Sequence, residues 1–382
     1  DYFLDADGAA RPVGALLKNP AYARTLGMLA ARGASALYSG PIADDIVRTA
    51  NLAPAHRGDL ALRDLAAYRV IARRPVCSRY RGYRVCGMPP PSSGGIAVLQ
   101  VLRMLEPYDV ASMGAESFWS VHFITEAERL AFADRNAYIA DPAFVPPPRG
   151  LLDARYLQRR SRLISAQHSL GHAPPGDPRR ALAQPGEIAW GVGAAAEFPS
   201  TSQVSIVDRD GNAVAMTTTI EDAFGSRLMT EGGFLLNNEL TDFSFAPVVD
   251  GKPVANRVEP GKRPRSSMSP TIVYDRRGRL FAVLGSAGGS LIINDVAKTL
   301  IGIVDWHLDP QAAIALPNFG SRNGPTELEK DTAIVALEPR LRAMGHATRI
   351  IVDTSGVQAI VRSSAGWIGG ADPRREGVVR GE

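Results

Sequence analysis

The chain has 382 residues, of which 45% are hydrophobic and 21% charged, which is typical of a soluble globular protein of ordinary polarity. Its net charge of +4 comes mainly from arginines spread along the chain, without a basic stripe interleaved with aromatic residues, so we expect no nucleic-acid partner. No apolar run reaches the roughly 18 residues of a membrane span, and we expect any export signal to precede Asp1.

Two helices are predicted in the N-terminal half. The first opens at Asn19-Pro20 and closes near Gly33, and the second runs from Phe118 to beyond Phe132. Apolar residues recur along one side of each, so both helices should face a core. A stretch rich in Pro, Gly and Ala, from about 172 to 199, is predicted to be a loop.

The two cysteines lie in a predicted hairpin between these helices. A two-residue turn at Arg81-Gly82 would place Cys77 directly opposite Cys86. A cross-strand disulfide is then geometrically possible and would fit an oxidising compartment, whereas two free thiols in a half-buried hairpin remain the alternative. No zinc-ligand spacing lies nearby and the six histidines are scattered, so no metal site is expected.

The C-terminal half is predicted to consist mainly of strands. Residues 205–208 and 213–219 flank the turn 209–212, and Asp-Gly between two β-rich runs is typical of a hairpin. Helices that bracket strand runs favour helices layered on antiparallel sheets over a strict βαβ alternation. Further elements are expected as strands at 234–236, 271–274, 280–284, 349–352 and 357–361, and as a helix from about Asn294 to His307.

Five motifs occur in a specific order along the chain. They are PPPSSGG at 89–95, SQVSIVDRDGNAV at 202–214, LLNNELTDF at 235–243, KRPRSSMSP at 262–270 and GSAGGS at 285–290. In this order they resemble the γ-glutamyltranspeptidase family. The resemblance implies the N-terminal-nucleophile hydrolase fold, an α+β sandwich of four layers, αββα, with stacked antiparallel sheets. It also implies self-cleavage into a large subunit, whose C-terminal part is 1–200, and a small subunit, 201–382, which stay together as a heterodimer and form one structural domain.

The same register implies the catalytic residues. Thr201 would be the nucleophile, freed by a cut between Ser200 and Thr201. A threonine hydroxyl is a poor nucleophile at neutral pH, but the new α-amino group, with a pKa near 8, lies within reach to act as base. Without the resemblance, the Ser-Thr-Ser run would be a solvated strand entry. Thr219 matches a second threonine that supports the nucleophile, and Gly288 and Gly289 match backbone donors to the oxyanion.

Substrate-binding residues are implied in the same way. A γ-glutamyl group carries an α-carboxylate and an α-ammonium, so its pocket needs donors on one side and acceptors on the other. Ser266 and Ser267 match the family's carboxylate-binding serines, and Glu239 and Asp242 match its ammonium-binding pair. Glu221 stands where the common family pattern has asparagine, which adds a negative charge to the ammonium side.

The resemblance implies an enzyme that passes the γ-glutamyl group of glutathione, or of a related amide, to water or an amino acid through an ester on Thr201. No metal or organic cofactor is implied, and members of this kind are usually periplasmic or secreted. Glu221 leaves open an acylase of the glutaryl or cephalosporin type on the same fold. A truncated, catalytically silent relative is a third alternative, because the family's carboxylate-clamping arginine lies upstream of this chain and neither Arg73 nor Arg74 falls in that motif.

Overall fold

The chain forms two compact units. The computed structural model describes residues 2–55, 57–179, 190–195, 198 and 200–381. One unit comprises Asp1–Ala72 with Phe224–Asn238, and the other comprises Arg73–Ala223 with Glu239–Glu382. The predicted segments 1–200 and 201–382 each contribute to both units, and their division stays a prediction. Of the predicted loop from 172 to 199, residues 180–189, 196, 197 and 199 lie outside the described residues, and the described part contains no strand beyond the isolated β-bridge of Gly191 to Val254.

The described residues of the first unit form three α-helices and a turn-rich segment. The helices are α1 (Pro20–Arg32), α2 (Pro41–Asn51) and α3 (Leu62–Ala67). Helix α1 is confirmed as predicted: Asn19 caps its start by accepting a hydrogen bond from the Tyr22 N–H, and Gly33 ends it. The strand predicted at 234–236 is wrong. Only Leu235 forms a β-bridge there, to Met229, because the neighbouring backbone groups bond locally to residues 226–230.

The second unit contains seven helices and thirteen strands among its described residues. The helices are α4 (Gly94–Leu105), α5 (Val110–Met113), α6 (Phe118–Tyr138), α7 (Ala154–Ser161), α8 (Ile292–Val304), α9 (Pro310–Ala315) and α10 (Glu338–Ala343). The strands are β1 (Val76–Tyr80), β2 (Tyr83–Gly87), β3 (Ser202–Val207), β4 (Ala213–Thr218), β5 (Val248–Val249), β6 (Lys252–Pro253), β7 (Thr271–Tyr274), β8 (Leu280–Gly285), β9 (Phe319–Gly320), β10 (Thr326–Glu329), β11 (Thr348–Ile351), β12 (Gln358–Ser363) and β13 (Gly366–Ala371).

Six of these strands form one antiparallel sheet, in the order β1-β2-β7-β8-β12-β13. The predicted register of the first hairpin is observed, with Cys77 opposite Cys86, and their sulfur atoms are bonded. Strand β2 precedes the predicted cut and β7 follows it, yet the two strands pair from Arg84–Tyr274 to Gly87–Thr271. The two predicted subunits therefore share one continuous sheet.

The second unit is layered. Helices α4, α6 and α8 and the six-stranded sheet share one hydrophobic core, to which fully buried Leu102, Ile124, Leu284 and Leu300 contribute. Strands β3 and β4 form a separate hairpin that packs against β8 and β12. The predicted α+β class with stacked antiparallel sheets is confirmed. The other face of the β3–β4 hairpin is apolar and exposed, and it carries Val204, Ile206, Val214 and Met216.

The remaining predictions of secondary structure have mixed outcomes. The strands at 271–274, 280–284 and 357–361 are confirmed as β7, β8 and β12. The strand at 349–352 is present as β11, but it belongs to a separate sheet, β11-β10-β9, where it runs parallel to β10. The predicted helix near 294–307 is α8, which begins and ends slightly earlier. Within the described part of the chain, no helix is long and apolar enough to cross a bilayer.

Candidate active site

The β3–β4 hairpin brings two predicted catalytic threonines together. Thr201 comes directly before β3 and Thr219 directly after β4, and the neighbouring pair Ser202–Thr218 is in register. The Thr201 hydroxyl donates to Thr219 Oγ1 at 3.1 Å, and Thr219 Oγ1 also accepts from the Glu221 N–H at 2.8 Å. The second threonine therefore orients the hydroxyl of the first.

The predicted oxyanion donors lie against the bond that would be cut. The Gly288 N–H donates to the carbonyl oxygen of Ser200 at 3.0 Å. Gly288 and Gly289 have φ values of 139° and 62°, which residues with a side chain rarely adopt, so glycine is favoured at both positions. Gly285 at the end of β8 leaves room for Gln203 of the hairpin, which fixes β3 against the strand that leads into this loop.

Thr201 itself has an unusual backbone conformation. Its φ is 99°, a region that β-branched residues almost never adopt, and such outliers are strained. The Thr201 carbonyl oxygen accepts a hydrogen bond from Arg375 Nη1 at 2.9 Å. The strained residue is thus held on both sides, by Gly288 at the preceding carbonyl and by Arg375 at its own carbonyl.

The predicted carboxylate-binding serines are fixed by the motif at 89–95. Ser93 donates to the Ser266 carbonyl oxygen through its N–H and its hydroxyl, each at 2.8 Å. Ser267 Oγ accepts from Arg135 Nη2 at 2.6 Å, and Arg135 also donates to Ser93 Oγ. Arg135 is 3% exposed, so a buried guanidinium stands directly behind Ser267.

Sequence reasoning missed Arg135 because no residue near it in the chain carries a predicted site role. The signal that could have found it is an arginine on the core side of the long helix α6, where a cation requires partners. Arg135 does not lie in the family motif that holds the carboxylate-clamping arginine. It places a positive charge on the predicted carboxylate side all the same.

Two of the three predicted acids, Glu221 and Asp242, line the same pocket as the serines. Glu239 and Asp242 begin and end a short 3₁₀ turn, and Glu221 is buried. Burial and the nearby Glu221 carboxylate together raise the pKa of Glu239 to about 7. The Glu221 carboxylate accepts a hydrogen bond from the Phe198 N–H at 3.0 Å, so in the uncut chain it is engaged by the segment before Ser200.

One small pocket joins most of these residues. It has room for about one water molecule, with a volume of about 20 Å³. Phe198 lies in its wall, so the segment before Ser200 takes part of the space that a substrate would need. The predicted site residues that line it are Thr201, Thr219, Glu221, Asp242, Ser266, Ser267 and Gly289. Of the other predicted residues, Gly288 contacts the Ser200 carbonyl and Glu239 interacts with Glu221.

Two of the scattered histidines meet in the core. The described residues include one group with metal-ligand donors, formed by His122, Glu126 and His346. His122 Nδ1 is 2.7 Å from His346 Nε2, and the outer nitrogens reach the Ser165 carbonyl and Thr326 Oγ1, each at 2.7 Å. Burial lowers the pKa of both histidines, that of His346 to about 4, so both are neutral and their donors and acceptors match. A metal ion would have to replace these hydrogen bonds.

A threonine directly before a strand, a backbone N–H donor at the preceding carbonyl and stacked antiparallel sheets are typical of the N-terminal-nucleophile hydrolase fold. The crystal structure of cephalosporin acylase from Bacillus halodurans is similar, with a TM-score of 0.82 and 26% identity, covering 98% of this chain and 64% of that one. The sequence profile of the γ-glutamyltranspeptidase family matches residues 1–381. The chain belongs to the γ-glutamyltranspeptidase family.

Similar proteins are named either as glutathione hydrolases or as acylases. The glutathione hydrolase proenzyme of Escherichia coli (strain K12) is 37% identical over 364 residues, which are 92% of this chain and 59% of the relative. The Acylase ACY 1 proenzyme of Pseudomonas sp. (strain SE83) is 32% identical over 354 residues, which are 92% of this chain and 58% of the relative. The chain therefore spans about three fifths of the length of these relatives.

Proposed function

We propose that this chain carries the reaction centre of a self-processing γ-glutamyl hydrolase or transferase, with Thr201 as nucleophile and no metal or organic cofactor. One observation carries the proposal. The carbonyl of the Ser200-Thr201 bond accepts a hydrogen bond from Gly288 at 3.0 Å, while the Thr201 hydroxyl is oriented by Thr219 at 3.1 Å. A polarised carbonyl next to an oriented hydroxyl and a strained backbone suits self-cleavage.

The first reaction is the cut. Thr201 Oγ1 attacks the carbonyl carbon of Ser200, and the negative charge that forms on the oxygen is stabilised by the Gly288 N–H. The bond between the Ser200 carbonyl carbon and the Thr201 nitrogen then breaks. The nitrogen takes up the proton released by the hydroxyl, and Ser200 is left as an ester on Thr201. Water hydrolyses this ester, which gives a Ser200 carboxylate and a free Thr201 amino group.

The second reaction reuses the same groups. The free α-amino group takes the proton of the Thr201 hydroxyl as the oxygen attacks the amide carbonyl of a substrate. Gly288 and Gly289 donate to the developing oxyanion, and the leaving amine departs with the proton. Water or the amino group of an amino acid then attacks the ester and regenerates Thr201. The cut must come first, since before it Phe198 narrows the pocket and Thr201 has no free amino group.

The charges around the pocket support an amino-bearing acyl group. Ser267 with Arg135 behind it suits a carboxylate, and the acids Glu221, Glu239 and Asp242 suit an ammonium. A γ-glutamyl group, as in glutathione, presents both charges. The cut segments would stay together as a heterodimer, because β2 and β7 pair across the cut.

An acylase acting on a glutaryl or related amide is the second candidate. It is supported by the similarity to Acylase ACY 1 and to the Bacillus halodurans cephalosporin acylase. A glutaryl group has the carboxylate but lacks the ammonium, so the three acids of the site would weaken its binding. The acids therefore favour a γ-glutamyl hydrolase or transferase over an acylase.

We also propose an oxidising compartment, periplasmic or extracellular, for this protein. The Cys77–Cys86 disulfide supports it, since such bonds persist outside the reducing cytosol. Thiol alkylation of protein taken directly from cells checks this proposal. Both cysteines should resist alkylation until a reductant is added, and immediate labelling would contradict it.

Intact mass tests the central proposal. We expect two fragments divided between Ser200 and Thr201, and a stable single chain of 40.8 kDa would indicate a catalytically silent relative. Thr201→Ala should abolish the cut, whereas Thr218→Ala, on the exposed neighbouring threonine, should cut normally. Release of a chromophore from a γ-glutamyl anilide, compared with a glutaryl anilide, separates transferase from acylase. A cut protein that releases neither would refute both activities.

A further inference from the structure

A buried carboxyl group lies directly behind the predicted oxyanion loop, 286–289. Asp295, in the first turn of α8, is 2% exposed. Its Oδ2 lies 3.4 Å from the point that a Cβ on Gly288 would occupy, and 3.3 Å from Ser286 Oγ. Gly288 is the residue whose N–H meets the Ser200 carbonyl. Any charge on Asp295 would therefore act at short range on Gly288, whose N–H is bonded to the oxygen where the proposed reaction develops its own negative charge.

The hydrogen bonds indicate which form of Asp295 fits this position. Ser286 Oγ is 2.8 Å from the Ala287 carbonyl oxygen and 3.3 Å from the Asp295 carboxyl. A serine hydroxyl has a single hydrogen, and the shorter contact takes it. The contact to Asp295 is then satisfied when the carboxyl group supplies the hydrogen, as a neutral acid does. Among the described residues, Ser286 is the one side-chain hydrogen-bond partner of this carboxyl.

The surroundings of Asp295 also favour the neutral form of its carboxyl group. Burial is the largest effect, and it raises the pKa of Asp295 well above its ordinary value. Asp353, after β11, and Asp372, after β13, raise it further, whereas Lys298 on α8 and Arg374 lower it. Lys298 is occupied elsewhere, donating to the Leu316 carbonyl at 2.7 Å and to Asn318 Oδ1 at 2.5 Å.

We propose that Asp295 is a positioning residue of the oxyanion loop and that it supports both self-cleavage and turnover only in its neutral, protonated form. The proposal rests on the proposed function, because it assigns the oxyanion to Gly288. The neutral acid tethers Ser286 and leaves the field at Gly288 favourable to a negative oxygen. Its ionisation places a second negative charge behind the first, which corresponds to a roughly 10- to 100-fold loss of rate for charges this close in a protein interior.

The pH dependence of two rates tests the proposal. We expect self-cleavage and kcat to fall at alkaline pH in the wild-type protein. Asp295→Asn cannot ionise, and its amide still donates to Ser286, so this fall should be absent. Asp210→Asn removes an exposed carboxylate in the β3–β4 turn and should keep the wild-type profile. An Asp295→Asn profile with the same alkaline fall as the wild type would overturn the proposal.

Two further measurements separate this proposal from the proposed function. Lys298→Gln removes a positive charge that lowers the pKa of Asp295, so the alkaline fall should move to higher pH; an unchanged or lower midpoint would contradict it. The uncut Thr201→Ala protein allows carbon NMR of labelled aspartates without any activity, with the Asp295 signal assigned by its absence in the double variant with Asp295→Asn. Titration near the ordinary value of about 4 would refute the proposal even in an active enzyme. A raised pKa of Asp295 in Thr201→Ala, together with a wild-type protein that never cuts, would refute the proposed function alone.

Discussion

Arg375 provides a direct test of whether the strain at Thr201 drives self-cleavage. Thr201 has a φ of 99°, and an outlier of this kind costs on the order of 1–3 kcal/mol. It is held by the Gly288 N–H on the Ser200 carbonyl at 3.0 Å and by Arg375 Nη1 on the Thr201 carbonyl at 2.9 Å. Arg375 is itself anchored by its Nε on the Thr354 carbonyl at 2.6 Å. Removing the guanidinium should let the Thr201 backbone relax.

Arg375→Met replaces the guanidinium with an apolar chain. A hydrogen bond from a charged donor contributes about 1.5–3 kcal/mol, and the partial exposure of Arg375 reduces this to about 1–2 kcal/mol. If that energy holds the reactive geometry, self-cleavage slows roughly 5- to 30-fold. Arg375→Lys keeps the charge but cannot reach both carbonyls in the same fork, so it should give an intermediate rate.

The assay follows the uncut chain by intact mass after a short induction and rapid purification. Arg380→Met is the matched control, because Arg380 is an exposed arginine in the same C-terminal segment. Urea unfolding of each variant on the Thr201→Ala background separates loss of fold from loss of cleavage. An Arg375→Met chain that folds and cuts at the wild-type rate would refute the role of strain. Equal slowing in Arg380→Met would show that the effect is not specific.

Three more predictions concern other parts of the molecule. Thr219→Val removes the acceptor of both the Thr201 hydroxyl and the Glu221 N–H, so cleavage and turnover should fall about ten-fold or more and recover in Thr219→Ser. The pKa of Glu239 is raised to about 7, so its carboxylate ionises and binds an ammonium better as pH rises through 7. KM for an amino-bearing acyl donor should therefore fall over this range. Glu239→Gln should flatten the KM profile, and a flat wild-type profile would contradict the prediction. The lowered pKa of His346, about 4, means that the unfolded chain binds more protons below pH 6.5, so the free energy of unfolding should decrease towards pH 4 in urea titrations and less steeply in His346→Gln.

Local turn chemistry made the hairpins predictable from the sequence. Arg81-Gly82 and the Asp-Gly turn at 210–211 each specify a register within a few residues, and both hairpins are observed. Helix α1 was equally predictable from the sequence, because Asn19-Pro20 and Gly33 mark its two ends. Turn residues and capping residues specify such elements locally, without tertiary contacts.

Elements decided by tertiary contacts were not predictable. Helix α4 is buried on nearly every side, so its apolar run has no helical period that distinguishes it from a buried strand. Residues 234–236 have the composition of a strand, but their neighbours offer only local hydrogen bonds. Strand β10 also depends on a partner further along the chain, because it pairs with β11 in a register that places Thr326 opposite Thr348.

The residues of the candidate site also divide into those that the sequence predicts and those that it does not. Its motif residues could be placed by resemblance, because each motif carries its residues together. Arg135 and Asp295 could not, because their importance comes from contacts made in the folded chain. Arg135 contacts Ser267, which is 132 residues away, and Asp295 lies against Gly288 in the loop before α8. The meeting of His122 with His346 is likewise a product of packing alone.

The pairing of β2 with β7 across the proposed cut has a consequence for the lifetime of the protein. An uncut chain folds as one molecule, with both halves of the sheet joined covalently. Once cut and unfolded, the same pieces could reassemble only by meeting in solution, at a rate that depends on concentration. In the proposed maturation, only a molecule that has already folded would cut the bond, and a cut molecule that unfolds could no longer refold as a single chain.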